Sequence, residues 1–157
     1  MEWSEAIKLT GEGSPYNRHV VEKTLSTAQA IVVLLTGDDM ARIGTRYLAK
    51  DEPEEQLTLQ VRPNVMFEAG MAFGVDPKRT ILVELGKTRD ISDMAGMNAV
   101  RIDNTVAKRQ LLASRLKTAG CDTHYEDQID WHSAGDFEKA NLPPDEPKNM
   151  YFPLIPV

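Results

Sequence analysis

Ala30-Ile-Val-Val-Leu-Leu-Thr36 carries no charge, and every position up to its closing threonine is apolar. A strand with one wet face alternates polar and apolar residues. A strand that is apolar throughout belongs inside a parallel sheet covered on both faces. Gly37-Asp38-Asp39 closes the run with turn formers. The fold therefore has to supply helices above and below this segment, and the rest of the chain is read against that demand.

The flanking patterns answer it. Ala6 to Thr10 reads as a short strand ended by the loop Gly11-Glu12-Gly13-Ser14-Pro15. A helix is expected from about Asn17 to Ala28, with Val20, Val21, Thr24 and Leu25 on its apolar face. Residues 40–61 form a long polar connection around Asp51-Glu52-Pro53-Glu54-Glu55, of a length that compact domains usually reserve for function or mobility. A helix over Pro63–Gly74, strands at Thr80–Leu85 and Ala99–Asp103, and a helix from Val106 to Ala119 stopped by Gly120 complete the pattern. Such alternation predicts an open parallel α/β sheet with helices on both faces. Beyond Cys121 the periodicity is lost. Asp130-Trp131-His132 stands out there, and the proline-rich end Tyr151–Val157 reads as part of an irregular extension. The expected division is a domain over 1–121 and an extension over 122–157.

Composition removes several classes of function. With 157 residues, 41% hydrophobic and 27% charged, the chain can bury one core of ordinary size. A net charge of −6 argues against DNA or RNA as a partner, because a nucleic-acid binder needs a basic stripe. A lone Cys121 excludes an internal disulfide and a cysteine-based zinc site, and the scattered His19, His124 and His132 outline no metal centre. With no signal sequence and no apolar run of bilayer length, no membrane association is expected and the cytoplasm is the expected location.

The unusual chemistry sits in Arg62-Pro-Asn-Val-Met-Phe-Glu-Ala-Gly-Met-Ala-Phe-Gly74. Pro63 suits a first helical turn, where its missing N–H costs nothing. Val65, Ala69, Ala72 and Phe73 then recur at helical spacing as a buried stripe. Glu68 falls on or beside that stripe, and a carboxylate there has to be paired, protonated or used. Two readings stay open: a rim carboxylate in an ordinary ion pair, or a functional group. Ligands of open α/β sheets bind outside the carboxyl ends of the strands. Thr10–Ser14, Thr36–Asp39 and the loop before Asn64 are therefore expected to rim one pocket, with Glu68 one turn into the helix leaving it.

Four segments in order resemble the bacterial TIR-like family of antiphage effectors of the CBASS and Pycsar type. They are Ala30–Asp39, Arg62–Gly70, Arg79-Thr-Ile-Leu-Val83 and Ser92-Asp-Met-Ala-Gly96. The resemblance implies a flavodoxin-like fold and cleavage of NAD+ at its nicotinamide–ribose bond, with Glu68 at the position of the essential glutamate. NAD+ is then a substrate, with no cofactor or metal. It further implies Gly11 and Ser14 in a loop over the pocket, with Thr36, Asp38, Asp39, Arg62 and Asn64 on the other side. Self-association accompanies catalysis in TIR domains. The family's first strand and helix would precede Trp3, which leaves strand edges in this chain open and predicts an oligomeric or aggregation-prone protein. Two alternatives keep the fold and change the function. One is a non-catalytic nucleotide-binding or self-association module. The other is an enzyme like the nucleoside deoxyribosyltransferases, in which a helix glutamate attacks the sugar carbon.

Overall fold

The computed structural model describes residues 2–48, 50, 56–91, 94, 96–123 and 130–141. Its first element corrects the reading of Ala6–Thr10 as a strand, because Trp3–Thr10 is a helix, α1. Glu2 and Glu5 form a reciprocal capping box at its start, and Gly11 ends it at φ 72°, donating its N–H to the Lys8 carbonyl. The alternation within Ala6–Thr10 is too short to fix a period. Trp3 and Ala6, three residues apart, instead share a helical face, and Ala6 is buried.

Helix α2, Asn17–Thr27, lies along α1 and buries Val20. Strand β1, Ile31–Thr36, follows where the apolar run places it. The long connection after it is not wholly irregular. Its ends form β2, Asp39–Ala41, and β3, Thr58–Gln60, an antiparallel pair with Asp39 opposite Gln60. Helix α3, Pro63–Val75, starts on its proline. Strands β4, Thr80–Leu85, and β5, Val100–Ile102, and helix α4, Val106–Thr118, match their expected places. Thr105 caps α4 by accepting the Lys108 backbone N–H.

The main sheet is parallel, three-stranded and ordered β1-β4-β5. Its two faces carry separate cores. On one, Ile31, Val33, Leu35 and Leu82 pack against Ala69 and Ala72 of α3, with Leu25 of α2 beside them. On the other, Ile81, Val83, Val100 and Ile102 meet Leu112 and Leu116 of α4. This is the α/β arrangement with helices on both faces that the pattern predicts. Coverage is uneven, however. Val32 and Leu34 alternate onto the α4 side and stay 42% and 53% exposed, since α4 covers β4 and β5 and stops short of β1. Among the described residues β1 pairs with β4 alone.

Part of the extension is held firmly. Buried Arg109 of α4 donates to the carbonyl oxygens of Trp131, Ala134 and Gly135, and its guanidinium lies 4.6 Å from the Phe137 ring centre. Phe137 itself joins the core on the α4 side. Tyr151–Val157 lies outside the described residues. No helix among the described residues is long and apolar enough to cross a membrane.

Candidate functional site

Helix α3 turns Val65, Ala69 and Ala72 toward the sheet, with Ala69 and Ala72 almost wholly buried. Small side chains at those positions let the helix approach β1 closely. Glu68 comes between them in sequence but points aside, exposed, into a groove. The expectation of a carboxylate pressed by burial is thereby corrected: the open groove lets water solvate Glu68, so it needs no protein partner. Among the described residues it makes no side-chain hydrogen bond or ion pair.

The groove has a volume of about 390 Å³. One wall is α3, through Val65 and Glu68, and the opposite wall is Trp3 and Ala6 of α1 with Val21 and Leu25 of α2. Its floor is the edge of β1 from Ile31 to Leu34, which is unpaired among the described residues. Among the described residues the lining is apolar apart from Thr24 and Glu68. A lone carboxylate in such a wall can favour positive charge beside it and can orient hydroxyls.

The other expected site residues gather at a second place, the rim where β1 ends and α3 begins. Arg62 Nε lies 3.5 Å from Asp38 Oδ2 and 3.7 Å from Asp39 Oδ1, with the arginine exposed and the two carboxylates partly so. Gly37 allows the turn to pass under β3, for a Cβ there would lie 2.8 Å from Leu59 Cβ and 3.2 Å from the Lys87 carbonyl oxygen. Thr36 accepts the Asp38 backbone N–H at its carbonyl, 3.0 Å away. Asn64, in the first turn of α3, lies four residues before Glu68 and so on the same helical stripe. Asn64 thus stands between the rim and Glu68 along α3.

Gly11 and Ser14 belong to the exposed α1–α2 loop, whose contacts are local. Thr10 Oγ1 accepts the Glu12 N–H at 3.1 Å, and His19 Nδ1 lies 3.3 Å from Glu12 Oε1. None of Gly11, Ser14, Thr36, Asp38, Asp39, Arg62 or Asn64 lines the groove that holds Glu68. The structure therefore brings Asp38, Asp39 and Arg62 together and leaves the loop and the glutamate as separate patches. Sequence reasoning missed Trp3 and Ala6 as groove walls, because a strand reading at Ala6–Thr10 hides their shared helical face.

A family model for the TIR domain of CAP12/Pycsar effector proteins matches residues 1–104. The chain belongs to that TIR family. The match takes in α1 through β5, including the groove, the rim cluster and the Glu68 helix. No curated protein matches the sequence. Among the described residues no group of histidine, cysteine and carboxylate side chains is placed to hold a metal ion.

Proposed function

We propose that this TIR domain cleaves the nicotinamide–ribosyl bond of NAD+, as the effector of an antiviral defence system. The observation that carries the reading is a single carboxylate, Glu68, set in an otherwise almost apolar groove of an open α/β sheet within the family-matched region.

The chemistry asks little of the protein. The nicotinamide nitrogen is cationic in NAD+, so breaking its bond to the ribosyl carbon returns the bonding pair to that nitrogen and releases a neutral base. Positive charge develops on the ribosyl carbon and ring oxygen, as in glycoside hydrolysis. Glu68 stabilises that charge or fixes the ribose hydroxyls. Water then adds to the carbon and loses a proton, leaving ADP-ribose. One carboxylate suffices because the leaving group needs no general acid. Arg62 and Asn64 take the phosphates and ribose at the rim, Thr36, Asp38 and Asp39 shape it, and the Gly11–Ser14 loop covers the bound nucleotide.

The exposure of Glu68 favours one addition to this scheme. Electrostatic stabilisation is strongest where water is excluded, and the groove is open along β1. Self-association that covers the β1 edge therefore accompanies activity. A non-catalytic nucleotide-binding role is the second reading, favoured by the separation of the rim cluster from Glu68.

Nicotinamide release from NAD+ at high protein concentration, comparing the chain with Glu68→Gln, tests both. The enzymatic reading expects the variant to fall by about 10²–10³-fold, the cost of removing one preorganised electrostatic group. Nucleotide binding with no release from either protein would favour the binding module. A glycosyl adduct trapped on Glu68 would instead mark deoxyribosyltransferase-like chemistry.

A further inference from the structure

The groove and the rim lie at different depths of the sheet. The groove runs along β1 from Ile31 to Leu34, whereas Asp38, Asp39 and Arg62 meet beyond the end of that strand at Thr36. Glu68 comes six residues after Arg62, the residue that starts α3, and six helical residues advance about 9 Å. A nucleotide with its reacting centre at Glu68 therefore carries its phosphates out toward Arg62. Only the part beside the reacting bond sits in the groove.

To that part the groove offers apolar surface and negative charge. Val21, Leu25, Leu34 and Val65 line it, and Glu68 is the one charged side chain among its described lining residues. Trp3, on the wall opposite, is 53% exposed, and an indole face attracts cations. The volume of about 390 Å³ lies toward the lower end of the range of about 300–1,000 Å³ usual for small-molecule sites. These features match a compact heteroaromatic cation better than an extended diphosphate. The net charge of −6 adds to the same preference, since it draws cations and repels anions. An N-ribosylpyridinium cation answers each feature. Its charged ring is flat and largely apolar, its ribose hydroxyls can donate to Glu68, and its leaving nitrogen is already cationic.

We propose that the unit cleaved in this groove is the N-ribosylpyridinium itself, so that nicotinamide riboside, without phosphate or adenylate, is a further substrate. The inference rests on Glu68 as the catalytic carboxylate and narrows that reading. The adenylate half of NAD+ contributes affinity at the rim and takes no part in bond breaking. In the step, the bond from C1′ to the ring nitrogen breaks and its electron pair returns to nitrogen. Water adds at C1′ and yields its proton to solvent, leaving nicotinamide and free ribose. Neutral N-ribosides such as adenosine fall outside the class, because their base leaves as an anion unless an acid protonates it.

Nicotinamide release from nicotinamide riboside and from NAD+, measured on the full chain at one high protein concentration, tests this, with Glu68→Gln and adenosine alongside. Glu68 is exposed, so Glu68→Gln keeps the fold, and thermal melting verifies it. The riboside is expected to turn over with kcat within about tenfold of NAD+ and KM higher by about 10–100-fold. That split is the signature of lost uniform binding, here of one or two charge-assisted contacts to phosphate. Glu68→Gln lowers kcat on both substrates by the same factor, and adenosine is not cleaved. If NAD+ is cleaved and the riboside is not, the adenylate half is needed for the chemistry, and the proposal fails while the role of Glu68 stands. Riboside cleavage that survives Glu68→Gln, or cleavage of adenosine, overturns it as well. If neither nicotinamide substrate is cleaved, Glu68 is not a catalytic carboxylate and the proposal falls with it.

Discussion

Two single residues decide how the ends of β1 and α4 are built. At Gly37 any side chain would press on Leu59 Cβ, which belongs to β3 and is tied down where its carbonyl accepts the Arg89 N–H at 2.6 Å. Gly37→Ala is therefore expected to destabilise the domain by about 1–3 kcal/mol, the usual cost of overpacking, read as a lower denaturant midpoint. The same change would lift β3 off the rim and disturb the Asp38–Arg62 contacts. Arg109 plays the corresponding part at α4. It is 8% exposed, and its donors serve three backbone carbonyls of the extension. Arg109→Ala removes the donor to those carbonyls and the cation over Phe137. A loss of about 2–4 kcal/mol follows from charged hydrogen bonds at about 1.5–3 kcal/mol each, offset by water reaching the freed groups. Limited proteolysis should then cut within 130–141 well before it cuts the sheet. Equal protease resistance of wild type and variant would show that the extension is held by other contacts.

At the scale of elements, the turn from β5 into α4 predicts how stability depends on pH. Asp103 accepts the Thr105 hydroxyl and backbone N–H, and Asp136 accepts from the Asn104 amide; these bonds hold both carboxyls below the usual carboxylate range. Asp76 is lowered likewise, first by the Arg79 side chain and then by the Lys78 backbone N–H. Depressed folded-state values mean that protonation favours the unfolded chain. The contribution is complete above the unfolded carboxylate value of about 4 and is lost as pH falls below it through the folded values. The melting temperature should accordingly stay level from neutral pH to about 5 and drop below about 4, with a shallower drop in Asp103→Asn. The elements themselves were legible where periodicity ran long. The unbroken apolar run placed β1, and the Val65–Ala69–Ala72 spacing placed α3. Ala6–Thr10 misled because five residues fit either period, and the deciding signal was the Glu2–Glu5 capping pair outside them. The short strands β2 and β3 were hidden because pairing across a long polar loop leaves little hydrophobic trace. Among the candidate residues that the sequence names, Asp38, Asp39 and Arg62 do come together at one rim, while Glu68 stands apart from them. The sequence could not reveal that Glu68 opens into a groove walled by Trp3, since that wall depends on how α1 docks.

For the whole molecule, the unbalanced sheet is the dominant fact. β1 is as apolar as an interior strand, yet among the described residues it is an edge, with Val32 and Leu34 half exposed on the side that α4 leaves bare. Proteins usually guard such edges with charge, proline or a bulge, and Ile31–Thr36 has no charged residue or proline. Burying the exposed part of two such side chains is worth about 1 kcal/mol each, and pairing the free backbone edge adds to it. Opposing this is repulsion between copies of charge −6, which salt at physiological strength screens beyond about 8 Å. Short-range apolar and backbone terms therefore win over the diffuse charge, and two copies should pair through β1. Sedimentation at rising concentration is expected to show association that strengthens with salt. Leu34→Lys places a charge on the bare face at little cost to the fold, about 0.5 kcal/mol for an exposed site, and should return the protein to monomer. If nicotinamide release fell in parallel while the melting temperature held, the edge would be tied to the chemistry at Glu68 through the groove they share. A wild-type chain that sediments as a monomer at every concentration would instead mean that the β1 edge is covered by something other than a second copy.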